Sequence, residues 1–456
     1  MDRIKRSLFT IGHLSPFQKS FLIFLALMQS ILIFHNRPSQ DDYGFLNSLT
    51  NSSFLDVAQD YWNGWGGNLS TVLVASLFIK LALVTEIWIA YALFGFLSSL
   101  LIGWAAFAGL GLFKSLLASK DRLFAAFLFS MIGVSNLAFP AHVASLAFVT
   151  AAIAHLWPIC IFVVLLWKLS VKRLNVFFLF FLGVFVSNAN IVEGATVTLV
   201  TFFVLCTKST FLEFSRFNIF PKMQSLFPLL LGQTLGILLI LIAPGLSSRI
   251  DLVSSEVGSD VGLFPSFRSA FVAFTGAFLA TPMVLFLFAL IAALLTLRKI
   301  DYSEFYRIVK GAKVELLLLV SLFGMLVLGS TFAYASWHQS LGLVFLCSLI
   351  AFILITKINR SARGINHKKI YISLTFFLSL VFIFDVSTGY FRGSRWDIAL
   401  QNNACEIKVE RTDALMSADL INPISKLGFE DIAMWEWMRK DYIRWLESTS
   451  KSYVCK

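Results

Sequence analysis

The sequence predicts an all-α protein that crosses a membrane about eleven times. Its composition is the first ground: 58% of the 456 residues are hydrophobic, 14% are charged, the mean hydropathy is +0.80 and 48 residues are phenylalanine. Apolar runs of about 17 to 28 residues recur along almost the whole chain, the length that a hydrocarbon layer of ~30 Å asks of a helix. Transmembrane β-strands would instead read as alternating segments of ~10 residues. The basic residues are also sorted by side. Of 37 lysines and arginines, 23 fall in segments assigned to one side, and only Arg37, Lys80, Arg249 and Arg268 fall in the opposite loops. The remaining 10 lie in the tail from Gly389, where 10 acids balance them. This asymmetry puts the N-terminus in the cytoplasm. The net charge of +11 is therefore topological, and no nucleic-acid partner is implied.

Taken in order, the spans read as 17–34, 87–113, 123–140, 151–167, 174–187, 191–206, 226–243, 270–297, 314–333, 339–356 and 369–386. No small-residue cleavage site follows the first run, so it reads as a retained span and not as a signal peptide. The stretch from Asn68 to Phe113 is long enough for two helices. Two spans there would invert every later loop against the charge rule, so Leu69 to Thr85 is assigned as an amphipathic or half-embedded helix at the outer interface, with Lys80 and Glu86 in water. The first outer loop, 35–86, is then large and helical. The spans 174–187 and 191–206 are short, and their polar connector Ser187-Asn188-Ala189-Asn190 is expected to dip into the membrane under a cover of protein or water. The chain divides into a transmembrane domain, 1–388, and a small outer C-terminal segment, 389–456. Within the tail, 432–446 carries Trp435, Trp437, Tyr442 and Trp445 among charges and reads as an amphipathic helix. Cys160, Cys206 and Cys347 fall in spans as inert thiols, while Cys405 and Cys455 share the tail, where an outer location permits a disulfide.

Chemistry gathers on the outer face. Asp41 and Asp42 follow the first span directly, and adjacent carboxylates at a membrane face are a functional signal. One can take the proton of an attacking hydroxyl; the other can hold a divalent cation or steady a developing positive sugar. The simpler reading is that one of them caps a helix beginning near Gly44. Asp56 and Asp60 lie one turn apart and read as a solvated face. Glu193 stands in apolar surroundings at an unwound flank, either facing a cleft or satisfying a helix end. Arg249 can bind phosphate through its planar fork or anchor the interface. His142 and His155 read as packed histidines, and His338 is a candidate partner of the phosphate. No zinc-ligand spacing, nucleophile elbow, phosphate-binding loop or dinucleotide motif is present.

The pieces Asp41-Asp42-Tyr43, Tyr61-Trp62-Asn63-Gly64, Asn190 to Gly194, and Ala243-Pro244-Gly245 followed by Arg249 resemble the GT-C superfamily of polytopic glycosyltransferases. Within it, the layout is similar to the bacterial and phage-encoded O-antigen glucosyltransferases that convert serotype. Relatives often carry an arginine where Trp65 stands here, and another near the outer end of a late span, where this chain has Trp337-His338. The resemblance implies a GT-C-like fold in the bacterial inner membrane and an inverting hexosyltransferase of lipopolysaccharide O-antigen. Its donor would be a polyprenyl-phosphate sugar, commonly glucose, and its acceptor a polysaccharide on the periplasmic side. Asp41 or Asp42 would act as base. Arg249, His338 and Lys80 would stabilise the departing phosphate, with Asn190 and Glu193 orienting sugar hydroxyls. Tyr43 and Asn63 would line the substrate site, with Trp62, Trp65 and Trp337 stacking on sugar rings. Magnesium or manganese on Asp41 and Asp42 is compatible with the family and not required by it. A flippase and a polyprenyl-phosphate glucosyltransferase are the implied functional companions. The rival readings are a lipid-linked sugar transporter, which would favour buried charges and broken helices near the midplane, and an O-antigen polymerase, which would need basic residues in large later outer loops. A structural scaffold would not need the acidic pair.

Overall fold

The computed structural model describes residues 16–35, 42–112, 149–171, 174–206, 226–249, 313–329 and 341–361, with single positions between and beyond them. Every element among the described residues is helical, and none is a strand. The expected spans 123–140, 270–297 and 369–386, and nearly all of the tail, lie outside the described residues.

Helix α1 covers Pro16–Phe34. The first outer loop follows as three helices: α2, Asp42–Asn51; α3, Phe54–Gly64; and α4, Leu69–Val84. Ser53 starts α3 with a reciprocal cap, its hydroxyl accepting from the Asp56 N–H and its own N–H donating to the Asp56 carboxylate at 3.0 Å, so Asp56 is a cap and more than a solvated residue. The amphipathic form expected for α4 is not what forms. It buries Ser70, Thr71 and Ser76 and exposes Leu73, Leu77 and Val84 beside Lys80, which leaves it without a polar face.

Helix α5, Ile87–Leu112, and helix α6, Val149–Val171, are long and apolar enough to cross a membrane. At 1.5 Å per residue the 26 residues of α5 extend about 39 Å. One turn of α6, Ala152–Leu156, is π-helical, a local widening that often marks a functional position. Helices α7, Val176–Ser187, and α8, Ile191–Cys206, are short as expected. Helix α9, Leu226–Leu241, lies against α7 at very close range. A Cβ on Gly232 would strike the Phe180 carbonyl, and one on Gly236 would strike the Ser187 hydroxyl. Gly232 and Gly236 form a G-x-x-x-G pair facing Gly183 and Ser187, the small-residue seam that lets apolar helices approach backbone to backbone. Helices α10, Lys313–Gly329, and α11, Leu341–Ser361, complete the main core with α5, α6, α7, α8 and α9.

The core of the bundle is apolar, and its outer surface is apolar as well. Phe177, Phe178 and Phe181 on α7 and Leu231, Leu235 and Leu238 on α9 are exposed, while Gln29, Ser98, Ser99, Thr196, Thr201 and Gln233 are buried.

Candidate functional site

Four stretches distant in sequence meet at one end of the bundle. The first is the start of α2. Asp42 is wholly buried, and its carboxylate accepts from the Tyr91 hydroxyl at 3.0 Å, the Val149 N–H at 3.3 Å, and the Thr150 N–H and hydroxyl at 3.4 Å each. A carboxylate that takes first-turn N–H groups satisfies donors that have no helical acceptor and opposes the positive end of the helix. Asp42 thus joins α2, α5 and α6, which gives it a structural role whatever else it does. Tyr43 is equally buried and donates to the Pro38 carbonyl at 3.2 Å, so it packs the loop core and lines no open surface. Asp41 lies outside the described residues, as does His338.

The second stretch is the turn that ends α3. Trp62 is half-buried and Asn63 exposed. The Trp65 and Gly66 N–H groups both donate to the Tyr61 carbonyl at 2.9 Å, which closes the turn. Gly67 presses against the α9 backbone at Leu239 and Ile240.

The third is the connector between α7 and α8, buried throughout as irregular backbone among apolar helices must be. Asn188 holds it. Its amide oxygen accepts from the Ser70 N–H at 2.9 Å and the Ser70 hydroxyl at 3.2 Å, and its amide nitrogen donates to the Gly67 carbonyl at 2.8 Å and the Gly236 carbonyl at 3.1 Å. Thr71 adds a bond to the Ala189 carbonyl at 2.7 Å. Asn190 caps α8, its side-chain oxygen accepting from the Val192 N–H at 3.0 Å. Glu193 is wholly buried, and its Oε1 lies 2.9 Å from His155 Nδ1 in the π-helical turn. Its Oε2 has no hydrogen-bond partner among the described residues. His155 is therefore more than a packed histidine, because it faces a carboxylate in a dry interior.

The fourth stretch is 243–249. Gly245 fits against the backbone of Trp65 and Gly66 with no room for a side chain, and one helical turn later the Arg249 guanidinium lies over the Trp65 ring, 5.2 Å from its centroid. Lys80 is directed elsewhere: its ammonium donates to the Leu49 carbonyl at 2.9 Å, at the carboxyl end of α2, where a cation suits both the open acceptor and the dipole. The other end of the bundle has its own cation, Lys168, 4.9 Å from the Trp167 ring centroid and 5.6 Å from that of Trp104.

The Trp62–Gly67 turn, the 188–193 connector and Arg249 are thus one neighbourhood, and Asp42 stands beside the start of α6, the helix whose His155 meets Glu193. The role of Asn188 and the pairing of His155 with Glu193 were not legible in the sequence. The G-x-x-x-G at 232–236, which brings the backbone of α9 within reach of Asn188, is the signal that would have drawn attention to that residue. Among the described residues no group of three or more His, Cys, Asp or Glu forms a metal cluster. The chain matches no protein-family model, no curated protein and no solved structure.

Proposed function

We propose that this chain is a polytopic inner-membrane glycosyltransferase of the GT-C kind. It moves a hexose, glucose in the simplest case, from a polyprenyl-phosphate carrier to a surface polysaccharide such as O-antigen on the periplasmic face. The observation that carries the reading is the convergence just described. Three of the four sequence pieces on which the family resemblance rests, the 61–67 turn, the 188–190 connector and the 243–249 turn, are bound to one another through Asn188, Gly67, Gly245 and Trp65, and Asp42 of the fourth is fixed at the start of α6, the helix whose His155 meets Glu193. The exposed apolar and buried polar side chains of α7 and α9 support a lipid surrounding, and eleven spans with a cytoplasmic N-terminus account for the charge sorting.

In this reading Asp41 takes the proton of the acceptor hydroxyl as the hydroxyl oxygen bonds to the anomeric carbon from the face opposite the phosphate. The bond from that carbon to the carrier oxygen breaks, its electron pair leaves with the phosphate, and Arg249 stabilises the charge that accumulates there. Asp42 fixes the start of α2 against α5 and α6, directly after Asp41 in the sequence. The carboxylate pair also suits a divalent cation, though with Asp42 committed to α5 and α6 the mechanism needs none.

Expression of the wild type and Asp41→Asn in a host that makes the lipid-linked sugar, followed by linkage analysis of its surface polysaccharide, tests the proposal. A new side-branch sugar with the wild type, absent with Asp41→Asn at equal protein level, is expected. An unchanged polysaccharide in a panel of acceptor strains would overturn it.

The His155–Glu193 pair favours a second reading. A buried charge beside a helix interruption is a feature of transporters, and Glu193 is such a charge just after the break between α7 and α8; movement of the lipid-linked sugar itself across reconstituted vesicles, undiminished in Asp41→Asn, would select that alternative.

A further inference from the structure

Trp65 stands one residue past the Tyr61-Trp62-Asn63-Gly64 element, and one face of its indole is covered by the Arg249 guanidinium. Both side chains are half-buried, and neither could hold this arrangement on flexible chain. The turn bearing Trp65 is closed by two hydrogen bonds to the Tyr61 carbonyl and tied down by Asn188 through Gly67. The helical turn bearing Arg249 meets it at Gly245, where any side chain would collide with the Trp65 and Gly66 nitrogens. The two turns are therefore packed directly against each other, backbone to backbone. Arg249 has no carboxylate partner among the described residues. A guanidinium held over an aromatic ring still carries N–H donors free at its own edge, and these match the oxygens of a phosphate two at a time. An ion pair with an acid would have consumed those donors; an aromatic face fixes the plane and leaves them open.

We propose that Trp65 is a positioning residue: it orients Arg249 to bind the phosphate of the polyprenyl carrier, and its covered face serves the cation instead of a sugar ring. The inference rests on the transferase reading for the identity of the lipid but is tested by binding, which does not require transfer to occur. The full-length protein in nanodiscs would be titrated with polyprenyl monophosphate, the carrier released by the reaction. Arg249→Ala is expected to weaken binding, and Trp65→Ala to weaken it about fivefold, the scale of one exposed to partly desolvated cation–π contact. Trp65→Phe should recover much of the loss, and Trp65→Ala should add little once Arg249 is alanine, because the two act as one unit. Melting temperature and elution volume identify a misfolded variant, in which case Trp65→Phe against Trp65→Leu carries the comparison. Unchanged binding in Trp65→Ala, or an equal loss with and without Arg249, overturns the proposal. Displacement of the lipid by inorganic phosphate at equal concentration would make free phosphate the ligand and overturn the carrier assignment. Transfer assayed on the same samples separates the two ideas: binding that depends on Trp65 without any sugar transfer sinks the transferase reading and leaves the positioning role standing.

Discussion

Asn188 uses all of its amide, accepting twice and donating twice, and it does so where three segments meet. Alanine there would leave the Ser70 N–H and the Gly67 and Gly236 carbonyls to find other partners in a buried place, so Asn188→Ala should cost about 3 kcal/mol, each orphaned group contributing on the order of 1 kcal/mol. Asn190→Ala removes one helix cap and should cost about 1 kcal/mol. Thermal unfolding of the purified protein in detergent ranks the two, and equal losses would contradict the hub role of Asn188. At Glu193 the glutamine variant keeps an oxygen for the His155 ring and should be mild, whereas Glu193→Ala strands the ring nitrogen and should cost about 2 kcal/mol. Sequence alone marked Asp42, Tyr43, Asn190 and Glu193 as special but could not distinguish a residue that serves a substrate from one that serves the fold, since both need a polar group in apolar surroundings. The partners decide it. Asp42 meets N–H groups more than a hundred residues away, a pairing that no local pattern encodes.

Among the elements, hydropathy was a good guide to existence and a poor one to packing. Runs read as 17–34, 191–206 and 226–243 became Pro16–Phe34, Ile191–Cys206 and Leu226–Leu241, because burial in hydrocarbon or in a dry core selects the same residues. Helix α4 was misjudged for the same reason: an apolar run carrying one lysine says nothing of which side its neighbours will cover. The seam between α7 and α9 gives the sharpest test. Gly236→Ala would push a methyl into Ser187 and the Val184 carbonyl, and overpacking of that kind should cost about 2 kcal/mol. At Gly324 in α10 an added methyl would meet nothing within 4 Å, so Gly324→Ala should be neutral or gain about 0.5 kcal/mol from helix propensity. Melting temperatures that fall together would mean that helix flexibility, not space, sets the outcome. Helix α3 adds a pH signature. The Ser53 bonds hold the Asp56 carboxyl below its ordinary value, so the folded state binds that proton less readily than the unfolded one. Its contribution is present at neutral pH and fades as the pH drops below about 4. Amide protection in α3, corrected for the intrinsic pH dependence of exchange, should fall over that interval in the wild type and hold steady in Asp56→Asn.

For the molecule as a whole, the two ends of the bundle are chemically distinct, and the proposed function depends on their lying on opposite sides of a membrane. Asp42, Glu193 and Arg249 belong to one end; Lys168, set against Trp104 and Trp167, marks the other in the manner of an aromatic and basic interface belt. On the proposed topology the Lys168 end faces the cytoplasm and the site end faces the opposite side of the membrane. Asn63 is exposed at the site end, and Val171 is exposed where α6 terminates, so single cysteines at these two positions report the arrangement. In a background with the five native cysteines replaced, a membrane-impermeant maleimide should label Asn63→Cys in cells whose outer membrane alone has been opened. Val171→Cys should react only after the inner membrane is broken. Labelling of both from the same side would remove the eleven-span topology and with it the separation of donor synthesis from transfer. The reverse pattern would turn the site toward the cytoplasm, where a nucleotide sugar could serve directly and a lipid carrier would have no purpose.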